Sequence, residues 1–351
     1  MKKILFHTAL LIAITLVFVY TTQMKYNVPN KYLKNEDKIT RHVIVWDKTL
    51  SYKQGSADYA TVIAPSLFVL ESSGDTFYLK ELTGNIKEYT DSCDKDIWAM
   101  FTNGFNPDNT RTVLTDEKKR NHLVKSISDS AKKYGFEGVN IDFENMYSED
   151  KDYFSKFIKE LSYELHKNKI VLSVDVTKIN KGSLFYSMCY DRKKLSEYAD
   201  YIILMAYDQF PRTSKIAGPV SSIPWTEDAV DGILNEVPSE KLILGIPFYT
   251  RQWIEEDGIV TQSNALSMNN SKKLKDENNA SLISDNETEL NYFEYSKGTE
   301  KIKVWVEDES SVKKRLDIAN NHSLPGVACW CLGYESESSK QILNQYKKAE
   351  I

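Results

Sequence analysis

The stretch Gly138-Val-Asn-Ile-Asp-Phe-Glu144 alternates between apolar and polar residues after its first glycine. A period of two is the pattern of a β-strand, so its apolar side chains share one face and its polar side chains share the other. The polar face carries Asn140, Asp142 and Glu144. Burying three polar groups on one strand face costs free energy unless they are paired or needed for chemistry. The stretch therefore predicts a strand that carries functional polar groups.

Seven further apolar runs accompany this strand along the chain. They cover residues 42–46, 62–70, 97–101, 170–176, 201–205, 242–246 and 326–330, and the strand quoted above covers 138–143. Helical patterns occupy most of the gaps, as in 116–134 and 150–166, where apolar residues recur every three or four positions. Apolar strands separated by helices predict a parallel sheet covered on both faces. Eight such units predict an α/β fold, one (β/α)8 TIM barrel over residues 41–351.

Residues 251–303 interrupt this rhythm between the seventh and eighth predicted strands. The segment is long and polar, with many Asn, Ser, Lys and Asp residues. We expect it to form an inserted α+β subdomain that borders one side of a cleft at the barrel mouth. A flexible loop is the alternative.

The first 24 residues read as a membrane segment rather than as part of the barrel. Lys2 and Lys3 precede an apolar run over residues 4–20, which is the lower limit of length for a helix that spans a bilayer. Basic residues before such a run favour a cytoplasmic N-terminus and an exported body. We expect an uncleaved signal-anchor at 1–24, a linker at 25–40 and an extracytoplasmic body. A cleaved signal peptide, followed by secretion, is the alternative.

The charge and the metal-binding residue types exclude several classes of function. The chain has a net charge of −5, and because residues 1–27 hold three lysines and no acid, the remainder carries −8. An acidic body argues against nucleic acid as a partner, whereas a polysaccharide remains compatible with it. The four cysteines lack paired zinc-site spacing and the five histidines form no metal motif. We therefore expect no metal and no cofactor.

The position of Glu144 points to acid catalysis. In a (β/α)8 barrel, catalytic residues lie at the C-terminal strand ends, where Glu144 would lie. The Cα atoms of Asp142 and Glu144 would be about 6.6 Å apart, so burial and mutual repulsion would raise one of their pKa values. A glutamic acid that keeps its proton near neutral pH is what a general acid for glycosidic cleavage requires.

Three motifs in order along the chain resemble glycoside hydrolase family 18. They are Glu137-Gly-Val-Asn-Ile-Asp-Phe-Glu144 on the fourth predicted strand, Met205-Ala-Tyr-Asp-Gln209 on the sixth and Gly326-Val-Ala-Cys-Trp330 on the eighth. Further stretches resemble the bacterial spore-wall branch, which includes cortex-lytic N-acetylglucosaminidases. They are Tyr190-Asp-Arg192, Ala217-Gly-Pro219, Ile223-Pro-Trp225, Leu244-Gly-Ile-Pro-Phe-Tyr-Thr-Arg251 and Trp305-Val-Glu-Asp308.

The resemblance implies retaining, substrate-assisted hydrolysis, in which the 2-acetamido oxygen of the substrate attacks the anomeric carbon. It implies that Glu144 is the acid and base, that Asp142 orients the acetamido N–H, and that Tyr207 donates to the acetamido oxygen. Trp330 would form an aromatic floor under the sugar. The expected substrate-binding set is Asn140, Asp208, Gln209, Trp225, Tyr249, Arg251 and Trp330.

Some residues depart from the family pattern and shape the expected substrate. Asn140 stands where the family often has an acid, and Glu137 stands where it usually has Asp. The third strand, ending at Asn103, lacks the Ser-x-Gly-Gly of typical chitinases. We expect a monomeric enzyme that cleaves β-1,4 N-acetylglucosamine linkages in peptidoglycan or spore cortex. A non-catalytic carbohydrate-binding protein and a chitinase acting on chitin oligomers are the alternatives.

Overall fold

The computed structural model describes residues 41–74 and 76–349. The predicted anchor at 1–24 and the predicted linker at 25–40 lie outside the described residues. Within the described ranges, no helix is both long enough and apolar enough to cross a membrane.

The described residues form fourteen β-strands and nine α-helices. The strands are β1 (His42–Asp47), β2 (Val62–Ser73), β3 (Thr76–Glu81), β4 (Asp96–Thr102), β5 (Gly138–Asp142), β6 (Val171–Thr177), β7 (Tyr201–Met205), β8 (Leu242–Pro247), β9 (Tyr249–Glu256), β10 (Ile259–Ser267), β11 (Ile283–Asp285), β12 (Leu290–Lys297), β13 (Glu300–Val306) and β14 (Gly326–Trp330). The helices are α1 (Ile86–Ser92), α2 (Pro107–Thr115), α3 (Glu117–Tyr134), α4 (Lys151–His166), α5 (Arg192–Tyr198), α6 (Ile223–Ile233), α7 (Met268–Glu277), α8 (Glu309–Asn321) and α9 (Glu337–Tyr346).

Eight parallel strands close into a barrel in the order β1-β14-β8-β7-β6-β5-β4-β2, and β2 pairs with β1 to complete the ring. These are the eight strands that the apolar runs predict, so the barrel prediction is confirmed. The largest difference in bounds is at β2, which continues three residues past the predicted end to pair antiparallel with β3. The antiparallel hairpin was not predicted.

Two apolar layers hold the barrel together. Val139 and Ile141 of β5 point outward and pack into the large core shared with α3 and α4. The barrel interior is filled by a second cluster that includes Trp46, Trp98 and Tyr201, and the rings of Trp98 and Tyr201 stack with their centroids 5.6 Å apart. Gly138 makes room for this filling, because a Cβ atom there would lie 2.4 Å from Cδ1 of Trp98.

The chain between β8 and β14 builds a second sheet. Strands β9 to β13 form a five-stranded antiparallel sheet in the order β10-β9-β13-β12-β11, and α7 lies between β10 and β11 in the chain. The sheet spans Tyr249 to Val306, slightly more than the predicted 251–303. The expectation that this region borders the cleft stays a prediction.

Candidate active site

A cavity of about 810 Å³ opens where β5, β6 and β7 end. Five of the residues singled out in the sequence line it together: Glu144, Tyr207, Asp208, Gln209 and Trp225. They come from separate segments of the chain, and the parallel barrel brings them together because the carboxyl ends of its strands meet at one mouth. The other predicted residues lie behind this lining, in the barrel interior or in the second sheet.

Asn140 is fully buried and its side-chain amide is fixed from both ends. Trp46 Nε1 donates to Asn140 Oδ1 at 2.9 Å. Asn140 Nδ2 donates to Asp175 Oδ1 at 2.7 Å and to Ser173 Oγ at 3.0 Å. The neighbouring strand β6 thus adds a carboxyl group, Asp175, to the polar face of β5.

Three carboxyl groups lie close together here and are called the carboxyl column: Asp142 and Asp175, which are buried, and Glu144, which is partly exposed to the cavity. Burial raises the pKa of Asp142 to about 7, and no protein donor reaches Asp142 Oδ1. Burial, followed by the charges of Asp142 and Asp208, holds the pKa of Glu144 well above its usual range. Burial and the Asp142 charge do the same for the pKa of Asp175, while its hydrogen bond with Asn140 acts in the opposite direction. Near neutral pH the column therefore retains protons, and Glu144 at the cavity wall is placed to donate one.

The main chain of Glu144 is held by a residue that sequence reasoning did not single out. Asn103 follows β4 directly and is fully buried. Its Oδ1 accepts from Glu144 N at 3.1 Å, and its Nδ2 donates to Glu144 O at 2.7 Å and to Thr110 Oγ1 at 2.9 Å. The available signal was an amide side chain immediately after a barrel strand, at the edge where functional groups collect.

Aromatic rings connect the barrel interior to the cavity. The ring of Trp46 lies 5.6 Å from the ring of Trp330 and 6.5 Å from that of Tyr207, measured between centroids. The ring of Tyr249 lies 6.3 Å from Tyr207 on another side. Burial, with smaller contributions from Asp175 and Tyr249, raises the pKa of Tyr207, so its hydroxyl keeps its proton and remains a donor.

Asp208 forms hydrogen bonds with two residues of the second sheet. Its Oδ1 accepts from Tyr249 Oη at 2.6 Å and from a terminal guanidinium nitrogen of Arg251 at 2.8 Å. Asp208 has a φ of 59°, in the left-handed region that few non-glycine residues adopt, and such residues concentrate at functional sites. Tyr249 and Arg251 therefore reach the cavity through Asp208 rather than as lining residues.

Gln209 and Trp225 complete the predicted set. Gln209 Oε1 accepts from Ser222 N at 2.8 Å, so this side chain supports the start of α6 as well as lining the cavity. The ring of Trp225 lies 4.7 Å from Lys178 Nζ, a cation–π contact at the cavity wall. Among the described residues, no group of His, Cys, Asp or Glu is arranged to hold a metal ion.

Comparisons with known proteins agree with this architecture. The sequence matches the family described as Glycosyl hydrolases family 18 over residues 22–335. It is 28% identical over 293 residues to the uncharacterized glycosylase YvbX of Bacillus subtilis (strain 168), covering 80% of this chain and 83% of that protein. It is 25% identical over 290 residues to the cortical fragment-lytic enzyme of the same organism, covering 79% of this chain and 66% of the relative. The crystal structure of the spore cortex-lytic enzyme SleL of Bacillus megaterium QM B1551 has a TM-score of 0.76 at 21% identity and covers 89% of this chain and 75% of that chain, which shows the shared fold.

Proposed function

Because the chain belongs to glycosyl hydrolase family 18 and is a glycosidase, we propose that it hydrolyses β-1,4 linkages of N-acetylglucosamine in peptidoglycan or spore cortex. The observation that carries the proposal is Glu144, a carboxyl with a raised pKa on the wall of an 810 Å³ cavity, next to the buried Asp142. The similarity to a cortical fragment-lytic enzyme supports the choice of a cell-wall glycan.

In the proposed mechanism, protonated Glu144 donates to the glycosidic oxygen as the bond to the leaving sugar breaks. The 2-acetamido oxygen of the substrate attacks the anomeric carbon from the opposite face, which makes a second catalytic carboxylate across the cleft unnecessary. Glu144, now ionised, takes a proton from water as that water opens the cyclic intermediate. The two displacements together retain the anomeric configuration.

Asp142 and Tyr207 position the acetamido group in this mechanism. Asp142 Oδ1 has no protein donor and accepts the acetamido N–H, and its negative charge stabilises the positive charge of the cyclic intermediate. Tyr207 donates its hydroxyl to the acetamido oxygen. Trp330 packs against the C–H face of the sugar. Asp208, Gln209, Trp225, Tyr249 and Arg251 complete the substrate site, and Asn140 orients the column behind it.

The remaining parts of the proposal concern organisation and location. The body acts as a monomer outside the cytoplasm, anchored by residues 1–24, because the basic residues before the apolar run favour export of the chain that follows. The sheet from β9 to β13 borders the cleft as an inserted subdomain. The hydrogen bonds from Tyr249 and Arg251 of β9 to Asp208 support this placement.

The decisive experiment compares the residue 41–351 body with its Glu144→Gln variant on purified wall glycan and on N-acetylglucosamine oligomers. We expect reducing-end release to fall about 100-fold or more in the variant, the usual scale for removing a general acid. Glu197→Gln on the exposed face of α5 is the matched control and should retain full activity.

Two results would contradict the proposal. Equal turnover by wild type and Glu144→Gln would remove Glu144 from the acid role. Binding of glycan with no turnover by the wild type would instead identify a carbohydrate-binding protein. Substrate assistance has its own test: an oligomer with free amines in place of the acetamido groups should bind and remain uncleaved, and the first product from a normal oligomer should be the β-anomer by NMR.

A further inference from the structure

Two segments at the cavity mouth carry an excess of positive charge. Residues 177–190 begin at the last residue of β6, residues 206–220 follow β7, and both segments contribute to the cavity lining. Together they hold four basic residues, Lys178, Lys181, Arg212 and Lys215, and one acid, Asp208, although residues 28–351 carry a net charge of −8. This local excess of positive charge contrasts with the negative net charge of the chain.

The acids of the cavity do not neutralise these lysines. Glu144 and Asp208 are the only carboxyl groups among the described lining residues. Glu144 holds its proton because burial raises its pKa, and Asp208 is ion-paired with Arg251 at 2.8 Å. Lys178 is paired with Asp228, which lies outside the lining, so the positive charge left facing the cavity is that of Lys181.

The two lysines of the cavity lining differ in whether their ammonium groups have partners. Lys178 is anchored: its Nζ lies over the Trp225 ring, donates to Trp225 O at 3.3 Å and pairs with the exposed carboxylate of Asp228. Lys181 is exposed, and no partner for its ammonium group is found in the described part of the chain. An exposed ammonium on a flexible four-carbon stem can follow a charged substituent that protrudes from a bound glycan.

We infer that this wall selects a glycan that carries carboxylates, with the exposed ammonium group of Lys181 as the contact. The inference rests on the proposed function and names the substrate class of the same site. A neutral polymer of N-acetylglucosamine would gain nothing from these cations, whereas a carboxylate in the cleft forms a charge-assisted hydrogen bond. The selecting carboxylate can belong to an ether-linked acid on the sugar or to an attached peptide.

The experiment measures kcat/KM for Lys181→Gln and Lys181→Glu on matched substrates. The substrates are a carboxylated wall glycan, the same glycan with its carboxylates amidated, and a neutral N-acetylglucosamine oligomer. On the carboxylated glycan we expect about a threefold to fivefold loss for the glutamine variant and about tenfold for the glutamate variant, the scale of an exposed ion pair and of its reversal. On the two neutral substrates we expect no change.

Controls separate this effect from general electrostatics. Lys193→Glu makes the same charge change at an exposed position of α5 outside the cavity lining and should leave all three substrates unaffected. The selective loss should shrink in about 0.5 M salt, since screening weakens exposed pairs. A carboxylated glycan stripped of its peptides distinguishes the two carboxylate sources: an undiminished Lys181 effect assigns the sugar carboxylate, and a lost effect assigns the peptide.

The result that overturns the inference is an equal loss on charged and neutral glycans, or no loss on any. If the wild type cleaves none of the substrates, the proposed function fails, and the inference is then decided by binding. Calorimetric titration of wild type and Lys181→Glu with carboxylated and amidated fragments should still show tighter binding of the carboxylated one, abolished by the substitution. Equal binding of both fragments by the wild type would reject the charge selection itself.

Discussion

Asn103→Ala tests whether the placement of Glu144 depends on a side chain from the neighbouring strand. Asn103 accepts from the main-chain N–H of Glu144 and donates to its carbonyl, and it also contacts Thr110 and accepts from Phe105 N at 3.2 Å. Removing the amide leaves the peptide groups on both sides of the acid without their partner. We expect the carboxyl group of Glu144 to lose its fixed position relative to the substrate.

The expected magnitude follows from the hydrogen bonds that the substitution removes. Four hydrogen bonds, one buried and three partly buried, at roughly 1 kcal/mol each predict a loss of about 3–4 kcal/mol in the free energy of unfolding. A displacement of about 1 Å in a catalytic group can reduce the rate roughly 100-fold. We therefore expect kcat to fall about 100-fold with KM changed less than about threefold, because Asn103 is buried behind the cavity rather than in its lining.

The assay is kcat and KM on an N-acetylglucosamine oligomer at a temperature where urea titration shows the variant fully folded. Thr110→Val is the matched control: it removes the hydroxyl that accepts from Asn103 and leaves both hydrogen bonds with Glu144 in place. The Thr110 hydroxyl also donates to the carbonyl oxygen of Asn106 at 2.7 Å, so losing both hydrogen bonds should cost about 2 kcal/mol of stability and leave kcat near the wild-type value. The reasoning is refuted if Asn103→Ala keeps its kcat within about threefold, or if Thr110→Val loses kcat to the same extent.

Two further predictions concern stability. Burial raises the pKa of Asp142 from 3.8 to about 7, so the folded chain binds this proton more tightly than the unfolded chain does. The contribution of this group to the free energy of unfolding therefore falls as the pH rises from about 4 to about 7 and is constant above that. Asp142→Asn should therefore have a free energy of unfolding up to about 4 kcal/mol higher than that of wild type at pH 8, measured by urea titration, and little of that gain near pH 4. The variant should be inactive at both pH values. A stability difference that does not change with pH would contradict this prediction. Gly326→Ala should lower stability by about 1–3 kcal/mol in thermal unfolding, since its Cβ would lie 2.2 Å from the carbonyl oxygen of His42 where β14 pairs with β1, whereas Gly84→Ala, with open space around it, should not.

The barrel could be predicted from the sequence because its strands are buried on both sides. Each of the eight reads as a short apolar run, and the runs are separated by helical patterns, which leaves few topologies open. The bounds of Tyr201–Met205 and Gly326–Trp330 were predicted without error. The hairpin of β2 and β3 was not predicted, because β3 alternates exposed and half-buried residues and contributes little to the core.

For the site, the sequence predicts only which residues share a strand face and which lie at strand ends. Periodicity places Asn140 and Asp142 on the inner face of β5 and Glu144 two residues past its end, and topology then brings Tyr207 and Asp208 to the same mouth. The partners of these groups depend on register and on side-chain rotamers across the barrel. Asn140 lies opposite Ser173, which brings Asp175 of the same strand within reach. No local pattern in the sequence encodes that pairing.

The amide at Asn140 explains how the column can hold three carboxyl groups and still leave one of them for the substrate. Its acceptor is taken by Trp46 and its donors by Ser173 and Asp175, so it fixes Asp175 in place without adding a fourth acid. A carboxylate at this position could not donate to Asp175 and would repel both Asp175 and Asp142. With Asp175 fixed by the amide, Asp142 Oδ1 is left without a protein partner, next to the acid on the cavity wall. In the proposed mechanism that oxygen is the acceptor for the acetamido N–H, so Asn140 contributes by keeping Asp142 available.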